Sequence, residues 1–224
     1  MDVTRREFLG YTAGAIGVMG SSAALPSAPT ERHVRGMTRW FVLGRWPRPK
    51  GTEYTESLQG FRRALPPERQ SLACCSLIVV TSLLRLDYGL AGLLRDALQG
   101  GSTVIVETGA GFVRHLDFCR HRRDFREGLQ IHLAAPVNLW ASRRRAPYIE
   151  FTWPRRATVR DFTRVVPPAE HEDDVIAWAG DLAVGFRRRV GKGMLIYLGS
   201  PVGPALWAGD AEARRWLYAV ALSA

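Results

Sequence analysis

The sequence predicts an α/β layer fold, on the pattern of three apolar runs and the helices that follow them. Residues 75–81, 103–107 and 194–198 are short, nearly continuous apolar runs, which are typical of strands buried on both faces of a sheet. Residues 87–99 carry leucine and alanine at helical spacing and end at a Gly-Gly pair, while a glycine-bearing loop and a helix follow the last run. Buried strands that alternate with helices form a layered fold whose ligand crevice lies at the carboxyl ends of the strands.

The first 24 residues have the organisation of an export signal: a basic start, a short apolar run over residues 10–19, and small residues before a turn. Arg5 and Arg6, followed by Phe8 and Leu9, resemble the twin-arginine signal that the Tat translocase reads. The apolar run is shorter than the ~20 residues of a spanning helix. We therefore expect cleavage near residue 24, export to the periplasm or the exterior with the Tat translocase as partner, and no stable membrane span afterwards.

The elements of the mature chain follow in order. Residues 25–37, rich in Pro, Ser, Thr and charge, are expected to be a flexible lead-in to one domain over residues 38–224. Beyond the three apolar runs, periodicity predicts a strand over 39–44, a helix over 53–64, a second helix from Phe112, and strands over 129–133, 147–153 and 158–166. It also predicts a hairpin of 175–178 with 182–188 around Gly180-Asp181.

Composition bounds the function classes. The formal net charge is +10, but the basic residues are scattered through every segment, which indicates solvated faces and no nucleic-acid partner. Three cysteines do not make a disulfide scaffold, and Cys74 and Cys75 are expected to be small buried hydrophobes.

Four residues of types that can bind a metal ion lie close together in the sequence: His115, Asp117, Cys119 and His121. Their spacing matches no standard metal-binding pattern, and the neighbouring arginines would repel a cation. We expect a solvated basic helix or loop there, with no metal site and no cofactor.

Residues 93–112 read LLRDALQGGSTVIVETGAGF, and residues 190–203 read VGKGMLIYLGSPVG. Together they resemble the class I glutamine amidotransferase-like superfamily, especially its trehalose-utilisation (ThuA-like) branch: a helix, Gly-Gly, strand and tight turn, then a hairpin into a late strand. The resemblance implies a three-layer, flavodoxin-like sheet, mostly parallel, with an antiparallel hairpin extension.

Catalytic members of that superfamily carry a cysteine on the turn after the strand and a His-Pro-Glu group after the late strand. A thiolate with a basic neighbour and an oxyanion site performs their chemistry. Here the turn from Glu107 to Gly111 has no cysteine, and Gly199, Ser200 and Pro201 replace the second group. The resemblance therefore implies the fold without the amide-cleaving reaction, as in a pseudoenzyme.

The strand ends still supply candidate site residues. Catalysis would rest on Glu107, Thr108 and Ser200, because a carboxylate beside hydroxyls can do acid/base work, although such residues also serve as caps and turns. Asp210 is expected near the same edge. The candidate ligand-binding residues are Thr108, Gly109, Ala110, Gly111, Gly199, Ser200 and Pro201.

Two functions remain open at this point. The first is an exported, non-catalytic binding or accessory protein of the cell envelope, for a small polar ligand such as a carbohydrate or for a protein partner. The alternative is a hydrolase or transferase that uses Glu107 and nearby hydroxyls in the strand-end crevice.

Overall fold

The structure is a computed structural model. It describes residues 72, 75–81, 85–108, 115–139, 147–162, 164–169 and 174–224, and the backbone of 39–43 and 61–63. All of these belong to one unit, residues 37–224. The predicted signal residues Arg5, Arg6, Phe8 and Leu9 lie outside the described residues, so export stays a prediction.

The described residues form eleven strands and four helices. The strands are β1 (Arg39–Leu43), β2 (Phe61–Arg63), β3 (Cys75–Val80), β4 (Thr103–Glu107), β5 (Val137–Asn138), β6 (Tyr148–Phe151), β7 (Ala157–Arg160), β8 (Arg164–Val165), β9 (Asp174–Ala179), β10 (Leu182–Val190) and β11 (Gly193–Leu198). The helices are α1 (Tyr88–Gly100), α2 (His115–Leu129), α3 (Gly203–Trp207) and α4 (Ala211–Ser223).

Nine of these strands form one mixed sheet in the order β2-β1-β3-β4-β11-β10-β9-β6-β7. The pairings from β2 to β11 are parallel, and those from β11 to β7 are antiparallel. The prediction of a mostly parallel, flavodoxin-like sheet is therefore wrong. The physical reason is that short connections join β6 to β7, β9 to β10 and β10 to β11, and a short turn can join only antiparallel neighbours.

Helices cover both faces of the parallel half. Val104 and Val106 pack with apolar side chains of α1 and α2, whereas Ile105 packs on the opposite face with α4 and with β6 and β7. This alternation follows from the two-residue period of a strand. Because both faces are covered, the middle of the strand, Val104 to Val106, is apolar, as the sequence pattern indicated.

Several local predictions are confirmed. Helix α1 begins after Asp87, whose side chain accepts a hydrogen bond from the Leu90 N–H, and ends at Gly101 in the left-handed region. β9 and β10 form the expected hairpin around Gly180 and Asp181. Cys75 is buried, as expected; Cys74 lies outside the described residues.

Other local predictions are wrong. The apolar run at 129–133 is no strand: α2 continues to Leu129, and Leu133 makes only an isolated bridge to Pro168. Phe61–Arg63 is strand β2 where a helix over 53–64 was expected, and residues 53–60 lie outside the described residues. In each case tertiary contacts override a short local pattern. None of the helices in the part of the chain that the structure describes is long and apolar enough to cross a membrane.

Leu195 on β11 tests the central position of that strand. We expect Leu195→Asp to unfold the protein, because an unpaired charge at this buried site costs several kcal/mol, out of a total stability of roughly 5–15 kcal/mol. Leu222→Asp on the exposed face of α4 is the matched control and should fold. Circular dichroism melting checks both, and an unchanged melting temperature for Leu195→Asp would remove β11 from the core.

Because of Tyr197, the stability of the folded protein is expected to depend on pH in the alkaline range. Burial raises the pKa of its hydroxyl well above 10.0, and the hydroxyl donates a hydrogen bond to the Val166 carbonyl at 2.6 Å. The protonated phenol therefore favours the folded state, and this contribution is lost as the pH rises above the unfolded pKa of about 10. We expect the melting temperature of Tyr197→Phe to fall less between about pH 9 and pH 11 than that of the wild type.

The substitution has its own cost at neutral pH, about 1–3 kcal/mol, because the Val166 carbonyl loses its donor. Tyr218→Phe, at an exposed position on α4, should keep the wild-type pH profile. Parallel profiles for wild type and Tyr197→Phe would contradict the assignment.

Candidate functional site

Polar side chains gather where three adjacent parallel strands end. Thr81 follows β3, Glu107 and Thr108 lie at the end of β4, and Ser200 follows β11. All four are buried. Because the carboxyl ends of parallel strands share one edge of the sheet, these residues lie along the edge at which α/β folds bind ligands.

Glu107 is the buried carboxylate at the centre of this edge. It pairs with Leu198 in the β4–β11 register, and its Oε1 accepts a hydrogen bond from the Val202 N–H at 2.9 Å. Only 1 % of the residue is exposed. The side chain is thus fixed against residues 199–202, the segment that leads from β11 to α3.

Thr108 pairs with a histidine that sequence reasoning had assigned to a solvated segment. The Thr108 Oγ1 and the His121 Nε2 are 2.5 Å apart, and both residues are fully buried. The Thr108 N–H donates to the Leu198 carbonyl, which continues the β4–β11 ladder by one residue. His121 also packs against Phe125, with ring centroids 4.2 Å apart. A hydroxyl that shares a hydrogen bond with an imidazole can exchange its proton with that ring.

Ser200 pairs with Asp161, which the sequence analysis missed. The Ser200 hydroxyl donates to the Asp161 Oδ1 at 2.6 Å, and both residues are buried. Asp161 follows β7, four strands away from β11, a separation of roughly 19 Å in a flat sheet. The antiparallel half of the sheet must therefore curl towards the carboxyl ends of the parallel strands. A contact between residues so far apart in the sheet cannot be predicted from a local sequence pattern.

Gly199 belongs to the site through its backbone. A Cβ atom there would lie 2.1 Å from the Val166 carbonyl oxygen and 2.9 Å from that of Val184. The Gly199 carbonyl also accepts a hydrogen bond from the Val166 N–H at 2.8 Å. This close approach fixes the segment that carries Ser200 and Pro201, both of which are buried. The other predicted ligand-binding residues, Gly109, Ala110 and Gly111, lie outside the described residues.

Asp210 is the N-cap of helix α4. Its side chain accepts hydrogen bonds from the Glu212 and Ala213 N–H groups and caps the start of α4. The expectation that Asp210 lies near the crevice stays a prediction.

The run from His115 to His121 lies on α2 and divides between two faces of the helix. His115, Asp117 and Cys119 are exposed, with 3.4 Å between the Cys119 Sγ and the His115 Nε2, whereas His121 points into the core. Among the described residues no group of three or more His, Cys, Asp or Glu side chains is placed to hold a metal ion.

The described edge thus carries two carboxylates, three hydroxyls and one imidazole. Because side chains alternate along a strand, Thr108 and His121 lie on the α2 face of the sheet and Glu107 lies on the opposite face. Glu107 and Asp161 are hydrogen-bonded to the same four-residue segment, 199–202, and Thr108, which pairs with His121, follows Glu107 in the chain. Two carboxylates can divide the roles of acid and base in a reaction, and hydroxyls or an imidazole can orient a substrate or carry a proton.

The comparisons with known proteins give information mainly about the fold. No protein-family model matches the chain, and a search of the curated proteins gives no match. Among solved structures, the chain is similar to the exo-β-1,4-mannosidase Op5Man5 from Opitutaceae bacterium strain TAV5, with a TM-score of 0.55 and 14% identity over 82% of this chain. A cold-adapted β-galactosidase from Rahnella sp. R3 gives a TM-score of 0.57 at 12% identity over 83% of this chain.

The chain spans about a third of those glycosidases, 36% of the mannosidase and 31% of the galactosidase. It also aligns with nearly the whole of the cytoplasmic protein STM1381 from Salmonella typhimurium LT2, covering 99% of that protein and 83% of this chain, with a TM-score of 0.57 and 12% identity. At such low identities the likeness establishes a shared fold and nothing about substrate.

These comparisons overturn two expectations. The assignment to the class I glutamine amidotransferase-like superfamily and its ThuA-like branch is wrong, because no family model supports it and the solved neighbours include glycoside hydrolases. The non-catalytic, pseudoenzyme role rested on that assignment and falls with it.

The close approach at Gly199 predicts a strong effect of a single methyl group. We expect Gly199→Ala to destabilise the protein by about 3 kcal/mol or more, because the added carbon would overlap backbone atoms that cannot rotate away. Gly92→Ala on α1 is the control: nothing lies within 4 Å of its Cβ position, and alanine should stabilise that helix by about 0.5–1 kcal/mol. Urea unfolding measures both, and equal effects would contradict the close approach.

Proposed function

We propose that the protein is a hydrolase whose acid/base groups are Glu107 and Asp161. The observation that carries this proposal is the convergence of two buried carboxylates on residues 199–202: Glu107 through the Val202 N–H and Asp161 through the Ser200 hydroxyl. Burying a carboxylate is costly unless hydrogen bonds compensate it. Two such groups at the carboxyl edge of the sheet are therefore a feature that catalysis explains well.

The chemistry assigned to the pair is hydrolysis with water as the attacking group. One carboxyl group gives its proton to the leaving-group oxygen as the bond to that oxygen breaks. The other carboxylate takes a proton from the water that attacks the same carbon, so the second product carries the hydroxyl. The two carboxyl groups end the reaction with their protonation states exchanged, and solvent restores them.

Glycosides are the substrate class to examine first. Glycoside hydrolysis generally uses a pair of carboxyl residues, one as acid and one as base or nucleophile. The similarity to a mannosidase and a β-galactosidase supports this choice, although it rests on the fold alone. The buried hydroxyl of Ser200 would hold the Asp161 carboxylate in place, and the Val202 N–H would hold Glu107.

The proposal predicts the loss of activity in two variants. The purified protein is assayed against aryl and alkyl glycosides, with ester and amide substrates in parallel. We expect Glu107→Gln and Asp161→Asn each to lower kcat/KM by about 100-fold or more, the usual contribution of a general acid or base. The variant that lacks the acid should retain more activity on aryl glycosides, whose leaving group needs no proton, and this difference assigns the two roles.

Glu150→Gln, which removes an exposed carboxylate on β6, is the matched control and should keep full activity. Circular dichroism of each variant separates loss of catalysis from loss of fold. Full activity in Glu107→Gln, or no turnover of any of the three substrate classes by the wild type, would overturn the proposal.

A further inference from the structure

We propose that the opposite edge of the sheet carries a separate binding site for a small dianion of the phosphate type. A cavity of about 380 Å³ lies between the carboxyl-terminal turns of α1 and α2 and the hairpin of β10 and β11. Its polar lining consists of Arg95, Gln99, Glu127, Gln130, Arg188 and Arg189. The volume falls at the lower end of the range for small-molecule sites, roughly 300–1,000 Å³, so the ligand is a small molecule and not a polymer.

The charge of the lining selects an anion. Three arginines and one glutamate give +3 − 1 = +2. Glu127 is engaged by the Tyr88 hydroxyl at 3.0 Å, and this hydrogen bond and the carboxylate charge raise the pKa of Tyr88. The surplus of two positive charges matches a phosphate monoester, which carries about −1.5 to −2 at neutral pH.

Arg188 provides a fixed wall of the cavity. Its guanidinium donates to the carbonyls of Leu129 and Gln130 at the end of α2, the latter at 3.0 Å. Those carbonyls form the negative end of the helix dipole, which would otherwise repel an anion. The contact therefore offsets one of the two features of the cavity that oppose anion binding, the other being the Glu127 carboxylate.

Arg95 and Arg189 are available to a ligand. Both are exposed at the cavity, and neither side chain makes a hydrogen bond or ion pair with another described residue. By contrast, Arg187 on the same strand is held by Asp174 at 2.6 Å. Guanidinium groups present a fork of N–H donors that suits the oxygens of a phosphate.

The cavity is distinct from the proposed catalytic edge. Leu195, which lines it, lies near the start of β11, whereas Ser200 follows the end of that strand. Five residues of extended chain separate the two positions by roughly 17 Å. The proposed anion site therefore does not depend on the hydrolase proposal, and each can be tested separately.

The test is the binding of inorganic phosphate, measured by isothermal titration calorimetry at low ionic strength and about pH 8, where phosphate is mostly dianionic. We expect saturable binding that chloride at equal ionic strength does not reproduce. The double variant Arg95→Gln/Arg189→Gln should weaken phosphate binding about tenfold or more, since hydrogen bonds to a charged group are lost. Arg188 is left unchanged because it supports the end of α2.

The control is Arg120→Gln/Arg122→Gln, which removes the same charge from exposed positions on α2 outside the cavity. It should bind phosphate like the wild type. Three results would each overturn the proposal: no saturable binding by the wild type, unchanged affinity in the Arg95/Arg189 variant, or an equal loss in the control, which would indicate general attraction to a basic protein.

Discussion

The parallel pairing of β4 with β11 is the constraint on which the rest of the structure depends. It places Leu198 beside Glu107, and the Thr108 N–H extends the ladder by bonding the Leu198 carbonyl. Two strands that are distant in the sequence are thus aligned so that the polar residues at their carboxyl ends lie close together. Both strands are buried, so a slip of one residue would turn apolar side chains towards the wrong helix layer and move Glu107 away from residues 199–202.

The sequence could predict the elements that carry their own signal. Strands β3, β4 and β11 are continuous apolar runs, and α1 has both a leucine stripe and a glycine at its end, so their bounds were close to those observed. The order of strands across the sheet has no such signal, because it depends on which distant segments bury each other. The antiparallel half was accordingly underestimated, although the hairpin at Gly180 that begins it was identified.

The residues of the candidate site likewise fall into those that the sequence could predict and those that it could not. Glu107, Thr108 and Ser200 could be identified because they directly follow strands whose carboxyl ends must share one edge. Asp161 and His121 could not, since each reaches the site across the fold: Asp161 from a strand at the far end of the sheet and His121 from an arginine-rich helix that read as solvated. Local composition indicates the average exposure of a helix. Whether one side chain of that helix, such as His121, is buried depends on the residues that pack against it in the fold.

The two edges of the parallel half have opposite chemistry, and the direction of the strands explains why. At the carboxyl edge the strands open into loops that bring carboxylates and hydroxyls together under close backbone packing. At the amino edge the helices end, so carbonyl groups face the cavity, and Arg188 offsets them. In the proposed anion site, Arg188 at the end of α2 thus offsets the partial negative charge of carbonyl groups that would otherwise repel the ligand.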